Sequence, residues 1–207
     1  MAERIDPDNE IFKDKVSWKR ALGFIPIPVV QSNPFREAFL WRYSWAATYC
    51  KNMRVLDVPC GMGWGTSLLT GSKQLFGIDR DPDAIAEARK RYGSLAQFEV
   101  GDMADLPATI QGYDVICCLE GIEHVECAVA LKFFDWCFSA LTPTGVLLIS
   151  SPFRKDGKHS GNPFHIHEYQ PDELAAILKN KFEIRNIEER QVEELTVAYF
   201  EVRKGLP

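Results

Sequence analysis

Short runs of apolar residues recur along the chain at intervals that suit strands alternating with helices. Each run is four to eight residues long, a length typical of buried strands. The predicted strands are 53–58, 75–78, 96–100, 113–119, 146–150, 182–187 and 195–202. Residues 188–194 are too few for a helical crossover, so we expect the last strand to run antiparallel.

Helical patterns fill most of the intervals between these runs. Asn33 and Asp81 are each followed by a proline, so each is expected to cap a helix. The apolar side chains of Cys127–Leu141 fall on one helical face, which is typical of a helix packed on a sheet. Helices are therefore predicted over 34–49, 82–92, 127–141 and 171–178. The alternation predicts an α/β fold with a seven-stranded, mostly parallel sheet and helices on both faces.

The first 32 residues carry a weaker signal. Residues 1–22 alternate charge with isolated apolar side chains and show no regular period. Phe24–Val30 must be extended, because its two prolines fix their own φ and disfavour helix at the preceding residues. We expect an N-terminal arm or extended segment over 1–32 and one domain over 33–207.

Composition and charge narrow the classes of partner. The chain has 207 residues, 46% of them hydrophobic and 26% charged, which suits one soluble domain with a sizeable core. The net charge of −5 argues against long nucleic acid as a partner, because such a partner requires a basic face. No apolar stretch is long enough to span a membrane, so we expect a cytoplasmic protein. The six cysteines form no C-x-x-C pair and are expected to be free thiols.

The segment Val55–Thr66, reading VLDVPCGMGWGT, joins a buried strand to a glycine-rich turn. Glycines there permit a sharp turn and let a ligand lie against bare backbone, while the following helix offers free N–H groups. The next strand ends at Asp79, 22 residues after Asp57, where a carboxylate reaches a ribose diol. These two segments together predict a site for a nucleoside-containing ligand.

The acid Asp57 helps to identify that ligand. A carboxylate close to a pyrophosphate would repel it, whereas it suits a ligand that carries an ammonium or sulfonium group. A nicotinamide-dependent oxidoreductase is therefore disfavoured, also because its usual fingerprint is Gly-x-Gly-x-x-Gly. The segment resembles motif I of the class I S-adenosylmethionine (SAM)-dependent methyltransferases, with Pro59 where the first glycine is usual. This resemblance implies a Rossmann-like domain that binds SAM and releases S-adenosylhomocysteine.

The resemblance also implies which residues contact the cofactor. Asp79 would bind the ribose, Asp102 the adenine amine and Met103 the adenine ring. Arg42 and Tyr43, from the aromatic helix before motif I, would reach the methionine carboxylate. The full predicted set is Arg42, Tyr43, Asp57, Pro59, Gly61, Gly63, Asp79, Arg80, Asp102, Met103 and Leu119.

Several further segments resemble a bacterial group of methyltransferases associated with O-antigen and glycan biosynthesis. They are FIP, LEGIEHV, LTPTGVLLISSPFR and NPFHIHEYQPDEL. The resemblance implies O-methylation of a sugar hydroxyl on a glycan or an activated sugar. Three alternatives stay open: O- or N-methylation of a small natural product, 2′-O-methylation of an RNA end, and a SAM-binding module without catalysis.

The predicted catalytic residues are Glu123, His124 and His165. A sugar hydroxyl must lose its proton as the methyl group moves, and His124 or His165 is a candidate general base. Glu120-x-x-Glu123-His124 also resembles the metal-binding run of small-RNA 3′-end methyltransferases, so these three residues and His165 are the candidate ligands of a divalent ion. We favour the metal-free base. His165 and His167 alternate in an extended segment, so only one of them is expected to point inward.

The stretch Ser151–Tyr169 is predicted to be a long loop. Loops of this length are uncommon in compact domains and often cover active sites. We expect it to act as a lid over the acceptor, with Gly157 and Gly161 as hinges.

Overall fold

The computed structural model of the protein describes residues 13, 15–21, 25–31 and 33–205. Strands β1 (Lys15–Ala21) and β2 (Ile25–Gln31) pair antiparallel as a separate two-stranded sheet. The extended conformation predicted for 24–30 is thus confirmed for its described part, while Phe24 lies outside the described residues. Strand β1 was not predicted, because a strand paired only to one neighbour needs no regular apolar pattern.

The remaining strands form a seven-stranded sheet in the order β5-β4-β3-β6-β7-β9-β8. Their bounds are β3 (Arg54–Asp57), β4 (Gln74–Asp79), β5 (Gln97–Val100), β6 (Tyr113–Leu119), β7 (Leu141–Phe153), β8 (Phe182–Val192) and β9 (Leu195–Lys204). Strand β9 runs antiparallel to both of its neighbours, β7 and β8, as predicted, whereas the other strand pairs of this sheet are parallel. The strand order reverses between β3 and β6, and such a reversal opens a crevice beyond the carboxyl ends of the strands.

The helices flank this sheet. They are α1 (Pro34–Cys50), α2 (Trp64–Ser67), α3 (Pro82–Tyr92), α4 (Cys127–Ala140) and α5 (Pro171–Lys179). Asn33 caps α1 by accepting hydrogen bonds from two backbone N–H groups, and Asp81 caps α3 in the same way. The four longer helices confirm the predicted ones to within two residues at each end.

The core lies on both faces of the sheet, and β6 shows why the sequence there is apolar throughout. Val115 and Cys117 point to the face covered by α1, whereas Ile116 and Cys118 point to the face covered by α4. All four side chains are almost fully buried. Burying one large aliphatic side chain stabilises a fold by roughly 1.5–3 kcal/mol, so this strand anchors both layers.

Strand β7 differs from its prediction at both ends. It begins at Leu141, which was predicted to end a helix, and it continues to Phe153, inside the predicted loop. Its pairing with β9 explains the extension, because hydrogen-bonded partners continue as far as Phe153 and Thr196. The long loop therefore covers residues 154–170.

Candidate active site

The carboxyl end of β3 presents a buried carboxylate beside the glycine-rich turn. Asp57 Oδ2 accepts hydrogen bonds from the Thr66 hydroxyl at 2.6 Å and the Tyr43 hydroxyl at 3.3 Å. Its Oδ1 is buried and has no hydrogen-bond partner among the described residues. Burial raises the pKa of Asp57 to about 7. An unsatisfied carboxylate oxygen suits a ligand that brings a cation or a hydrogen-bond donor.

Asp79, at the end of β4, holds this turn in place. One carboxylate oxygen accepts the backbone N–H of Gly61 at 2.8 Å, and the other accepts that of Asp81 at 2.9 Å. Gly61 has φ +53°, and no described atom lies within 4 Å of the position that a Cβ would take. Its backbone therefore faces open space, as a cradle for a ligand requires.

The other two glycines leave room for protein side chains. A Cβ on Gly65 would lie 2.0 Å from the Tyr43 ring, and one on Gly63 would lie 2.9 Å from Ala88 and Phe98. The expectation that all three glycines expose bare backbone to the ligand is thus wrong for Gly65. Its missing side chain lets Tyr43 reach Asp57.

The predicted adenine-binding residues follow β5. Asp102 is exposed, and its Oδ1 accepts the backbone N–H of Ala104 at 2.9 Å, so it caps a short 3-10 turn. Met103 is 7% exposed and packs in the core. Arg80 is exposed directly after Asp79. These residues lie at the carboxyl ends of neighbouring strands, on the same edge as Gly61.

Pro59 and Leu119 lie at the carboxyl ends of the neighbouring strands β3 and β6, where the strand order reverses. The Val58–Pro59 peptide bond is cis, and a Cβ on Gly121 would lie 2.2 Å from the Pro59 Cδ. Only glycine at position 121 permits this contact. Leu119, the last residue of β6, is 4% exposed and packs beneath α1.

A second polar cluster lies between α1 and the ends of β6 and β9. Arg42 is 5% exposed, and its Nη2 lies 3.0 Å from Glu120 Oε2. Burial and the charge of Glu120 raise the pKa of Tyr199. Three buried atoms here have no hydrogen-bond partner in the described part of the chain: Arg42 Nε, Glu120 Oε1 and the Tyr199 hydroxyl. Arg42 and Tyr43, both predicted to bind the methionine carboxylate, thus contact carboxylates of the protein itself.

Glu120 has a backbone conformation that non-glycine residues rarely adopt. Its φ is +53°, in the left-handed region. The backbone N–H donates to the Ser150 carbonyl at 2.9 Å and to the Ser150 hydroxyl at 3.0 Å, which holds the strained turn against β7. Strain of this kind is typical of functional sites.

The three predicted catalytic residues come together just beyond this turn. Glu123, His124 and His165 each offer one ligand atom, and these atoms lie within 4.8 Å of one another. Glu123 is 1% exposed, and His124 Nε2 lies 4.0 Å from its Oε1. Glu120, the fourth candidate ligand, is outside this group and pairs with Arg42 instead. His124 Nδ1 lies 2.9 Å from the Phe164 carbonyl and must donate to it, which leaves the lone pair of the neutral ring on Nε2.

The long loop is fastened to the same turn. The backbone N–H groups of Ile166 and His167 donate to the Glu123 carbonyl at 2.7 and 3.1 Å. The His165 side chain is 7% exposed and bonds Glu168, whereas that of His167 is 43% exposed and bonds Glu173. The prediction that only one of these two histidines points inward is confirmed.

The structure adds residues that the sequence did not reveal. Tyr199 lies on the final strand, more than 70 residues from the turn it approaches, and no local pattern marks it. Glu168 directly follows His167, and its position three residues before Pro171, the first residue of α5, resembles that of an ordinary helix-start acid. Only its buried contacts within the loop distinguish Glu168 from such an acid.

Comparison with known proteins agrees with the fold and with SAM as the cofactor. Residues 55–145 match the model of a family described as a methyltransferase domain. A probable SAM-dependent methyltransferase of Mycolicibacterium smegmatis is 32% identical over 150 residues, which are 70% of this chain and 57% of the relative.

Solved structures show the same architecture. The N-methyltransferase NodS from Bradyrhizobium japonicum, in complex with S-adenosylhomocysteine, has a TM-score of 0.65 and 20% identity over 83% of this chain and 87% of NodS. Magnesium protoporphyrin IX methyltransferase from Synechocystis, with bound SAM, has a TM-score of 0.65 and 18% identity over 83% of this chain and 80% of that one.

The fold and the glycine-rich edge define a nucleoside-cofactor-binding α/β protein. Residues 55–145 match a methyltransferase-domain family, and 70% of the chain is similar to a probable SAM-dependent methyltransferase. The chain spans little more than half the length of the M. smegmatis relative. Every helix that the structure describes is too short or too polar to cross a membrane.

Proposed function

We propose that the protein transfers a methyl group from SAM to an oxygen atom of a small acceptor, namely a sugar hydroxyl. The observation that carries the proposal is the cluster of Glu123, His124 and His165, which stands beside the cofactor edge and in which the Phe164 carbonyl orients the His124 ring. SAM supplies an electrophilic methyl group on a sulfonium. An attacking hydroxyl requires a group that accepts its proton, and this cluster provides one.

The cofactor residues act by holding the sulfonium in line with the acceptor. In this proposal, Asp57 Oδ1, which has no partner in the described part of the chain, would accept a hydrogen bond from the ammonium group, Gly61 would give backbone access, and Asp79 would bind the ribose while it accepts the Gly61 N–H. The methyl carbon–sulfur bond breaks as the oxygen–carbon bond forms, and the sulfur leaves as a neutral thioether. Positioning supplies much of the acceleration in such an in-line displacement.

In the metal-free route, His124 Nε2 takes the proton of the attacking hydroxyl. The Phe164 carbonyl fixes the ring by accepting from Nδ1, and the Glu123 carboxylate, 4.0 Å away, stabilises the imidazolium that forms. A positioned general base contributes about 10²–10⁴-fold to the rate. His124→Ala is expected to lower kcat by that factor while leaving the affinity for SAM unchanged.

A divalent ion is the second route, and the geometry of the cluster favours testing it. Two imidazoles and one carboxylate are a common ligand set for a divalent transition metal. Chelation separates the routes. Turnover that survives EDTA supports the base, whereas EDTA-sensitive turnover restored by Mn²⁺ or Mg²⁺ establishes the metal.

The polar cluster on the α1 side supports a hydroxylated acceptor. Arg42 and Glu120 offset each other's charge, yet each keeps an unused hydrogen-bonding atom, as does Tyr199. A neutral group that both donates and accepts, such as a vicinal diol, satisfies them without introducing an unpaired charge.

An assay of S-adenosylhomocysteine release over a panel of acceptors tests the whole proposal. The panel should hold nucleotide sugars, methyl glycosides, catechols, aromatic amines and a short RNA with a free 3′ end. Turnover on sugars alone supports the assignment. Turnover on phenols or amines assigns a natural-product methyltransferase, and tight SAM binding with no turnover favours a non-catalytic module.

A further inference from the structure

The long loop contains one buried carboxylate, which is unusual for a surface segment. The Glu168 side chain is only 3% exposed. It accepts the Ser160 backbone N–H at 2.8 Å, the Ser160 hydroxyl, and His165 Nδ1 at 2.5 Å. A buried carboxylate is stable only with such partners. Burial raises the pKa of Glu168, but the hydrogen bonds from Ser160 and His165 outweigh burial and leave the pKa below its ordinary value.

These contacts determine which nitrogen of His165 carries the proton. An ionised carboxylate only accepts hydrogen bonds, so Nδ1 of His165 must donate to Glu168. On the other side of the ring, Asn162 Nδ2 lies 3.0 Å from Nε2. The Asn162 amide is oriented by its Oδ1, which accepts the Phe164 N–H at 3.0 Å, so Nδ2 donates to Nε2. The ring is thus held as the Nδ1–H tautomer, with its lone pair on Nε2.

A second glutamate–histidine pair in the neighbourhood differs in burial. His167 Nε2 lies 2.7 Å from Glu173 Oε1, but both side chains are more than 40% exposed and neither belongs to the catalytic cluster. Exposed pairs of this kind have little effect on orientation or stability. Glu168 differs from Glu173 because it is buried and bonds His165, a residue of the catalytic cluster.

We infer that Glu168 is the positioning residue for His165: with Ser160 it fixes the orientation and tautomer of the imidazole, so that the lone pair of the ring lies on Nε2, where the Asn162 amide donates to it. The inference rests on the proposed function only for its kinetic consequence. The inference holds whether His165 assists a base or binds a cation. Either role needs a lone pair on Nε2, and in either role the acceptor or the cation would replace the Asn162 amide at that nitrogen.

The test is Glu168→Gln, compared with Glu173→Gln as a control that makes the same chemical change in the exposed pair. In Glu168→Gln, the amide satisfies the Ser160 N–H best by turning its oxygen there, which presents a donor to His165 Nδ1. The ring is then expected to change to the Nε2–H tautomer. The ¹⁵N chemical shifts of His165, measured by NMR on the full chain with S-adenosylhomocysteine and no acceptor, report this directly.

The expected kinetic result is a 10- to 100-fold loss of kcat in Glu168→Gln, a range typical when the partner of a functional histidine is removed. The affinity for SAM, measured by calorimetry, should be unchanged in both variants, which also shows that they fold. If Glu168→Gln does not fold, the ¹⁵N shifts of His165 in the wild-type protein still test the inference, because they must show the Nδ1–H form.

Two results would overturn the inference. One is a wild-type His165 in the Nε2–H form, and the other is an unchanged tautomer in Glu168→Gln together with kcat within twofold of wild type. A protein that binds SAM but methylates no acceptor contradicts the proposed function instead, and the tautomer measurement still decides the role of Glu168.

Discussion

At the scale of single residues, the paired contacts of Asp79 predict a large effect on the cofactor. On the role proposed for Asp79, the substitution Asp79→Ala removes a charged acceptor from the ribose, and it also releases the Gly61 N–H. Loss of such a hydrogen bond costs about 1.5–3 kcal/mol, so SAM affinity should fall roughly ten- to hundred-fold. Calorimetry measures it, with the exposed Asp105→Ala as control. Equal affinities in wild type and Asp79→Ala would remove Asp79 from the site.

Asp57 predicts a dependence on pH. Its pKa is about 7 in the folded protein against an ordinary value of 3.8, so the folded state binds the extra proton between these values. Stability should therefore decrease as pH rises from about 4 to about 7, by an amount on the order of 4 kcal/mol, and level off above. An ammonium group favours the ionised carboxylate, so SAM affinity should rise over the upper part of this window.

The reference for this prediction is Asp57→Asn, which cannot ionise. The difference in unfolding free energy between wild type and variant, followed by denaturant titration from pH 4.5 to 8, isolates the contribution of Asp57. A difference that does not change with pH would show that the carboxyl titrates normally.

Alanine substitutions at Gly61 and Gly71 distinguish the effect of backbone strain from the effect of ligand contact. Both have positive φ and open space at the Cβ position. Alanine at either site should destabilise the fold by about 1–2 kcal/mol, since left-handed backbone is costly for any other residue. Only Gly61→Ala should also weaken SAM binding, as measured by calorimetry. An equal change in SAM affinity in Gly61→Ala and Gly71→Ala would mean that Gly61 does not border the cofactor.

At the scale of elements, the sequence predicted most of the sheet because burial leaves a strong pattern. Strand β6 is buried on both faces and reads as a continuous apolar run, and the caps of α1 and α3 are local signals. The far end of β7 was missed because its pairing with β9 is a long-range interaction. Glu168 and Tyr199 were missed for the same reason: their partners are distant in sequence or buried only in the folded loop.

The loop over residues 154–170 should behave as two parts. The N–H groups of Ile166 and His167 bond the Glu123 carbonyl, whereas Lys155–His159 is exposed. In the absence of ligand, hydrogen exchange should be slow at the N–H groups of Ile166 and His167 and fast in Lys155–His159. Bound S-adenosylhomocysteine and acceptor should add protection mainly to the second segment, as expected of a lid. Fast exchange at both would show that the loop is not fastened to the turn.

At the scale of the whole molecule, the packing predicts the reactivity of the thiols. All six cysteines are free, as predicted, and all are buried except Cys127. Burial is a main cause of the raised pKa of the Cys60, Cys118 and Cys137 thiols, which makes them unreactive. Iodoacetamide should therefore label Cys127 alone in the native protein and all six residues after denaturation, as counted by mass spectrometry. Native labelling at several sites would mean that the core opens readily.

The reversal of strand order between β3 and β6 divides the active edge into two parts that come from different segments of the chain. Asp57, Gly61 and Asp79 stand on one side, while Glu120, the histidine-bearing loop and Tyr199 stand on the other. The family match ends at residue 145, ahead of the loop and of β9. On the proposed assignment, the loop and Tyr199 lie after that end and can vary in sequence without changing the residues that hold the cofactor, whereas Glu120, Glu123 and His124 lie within the matched region.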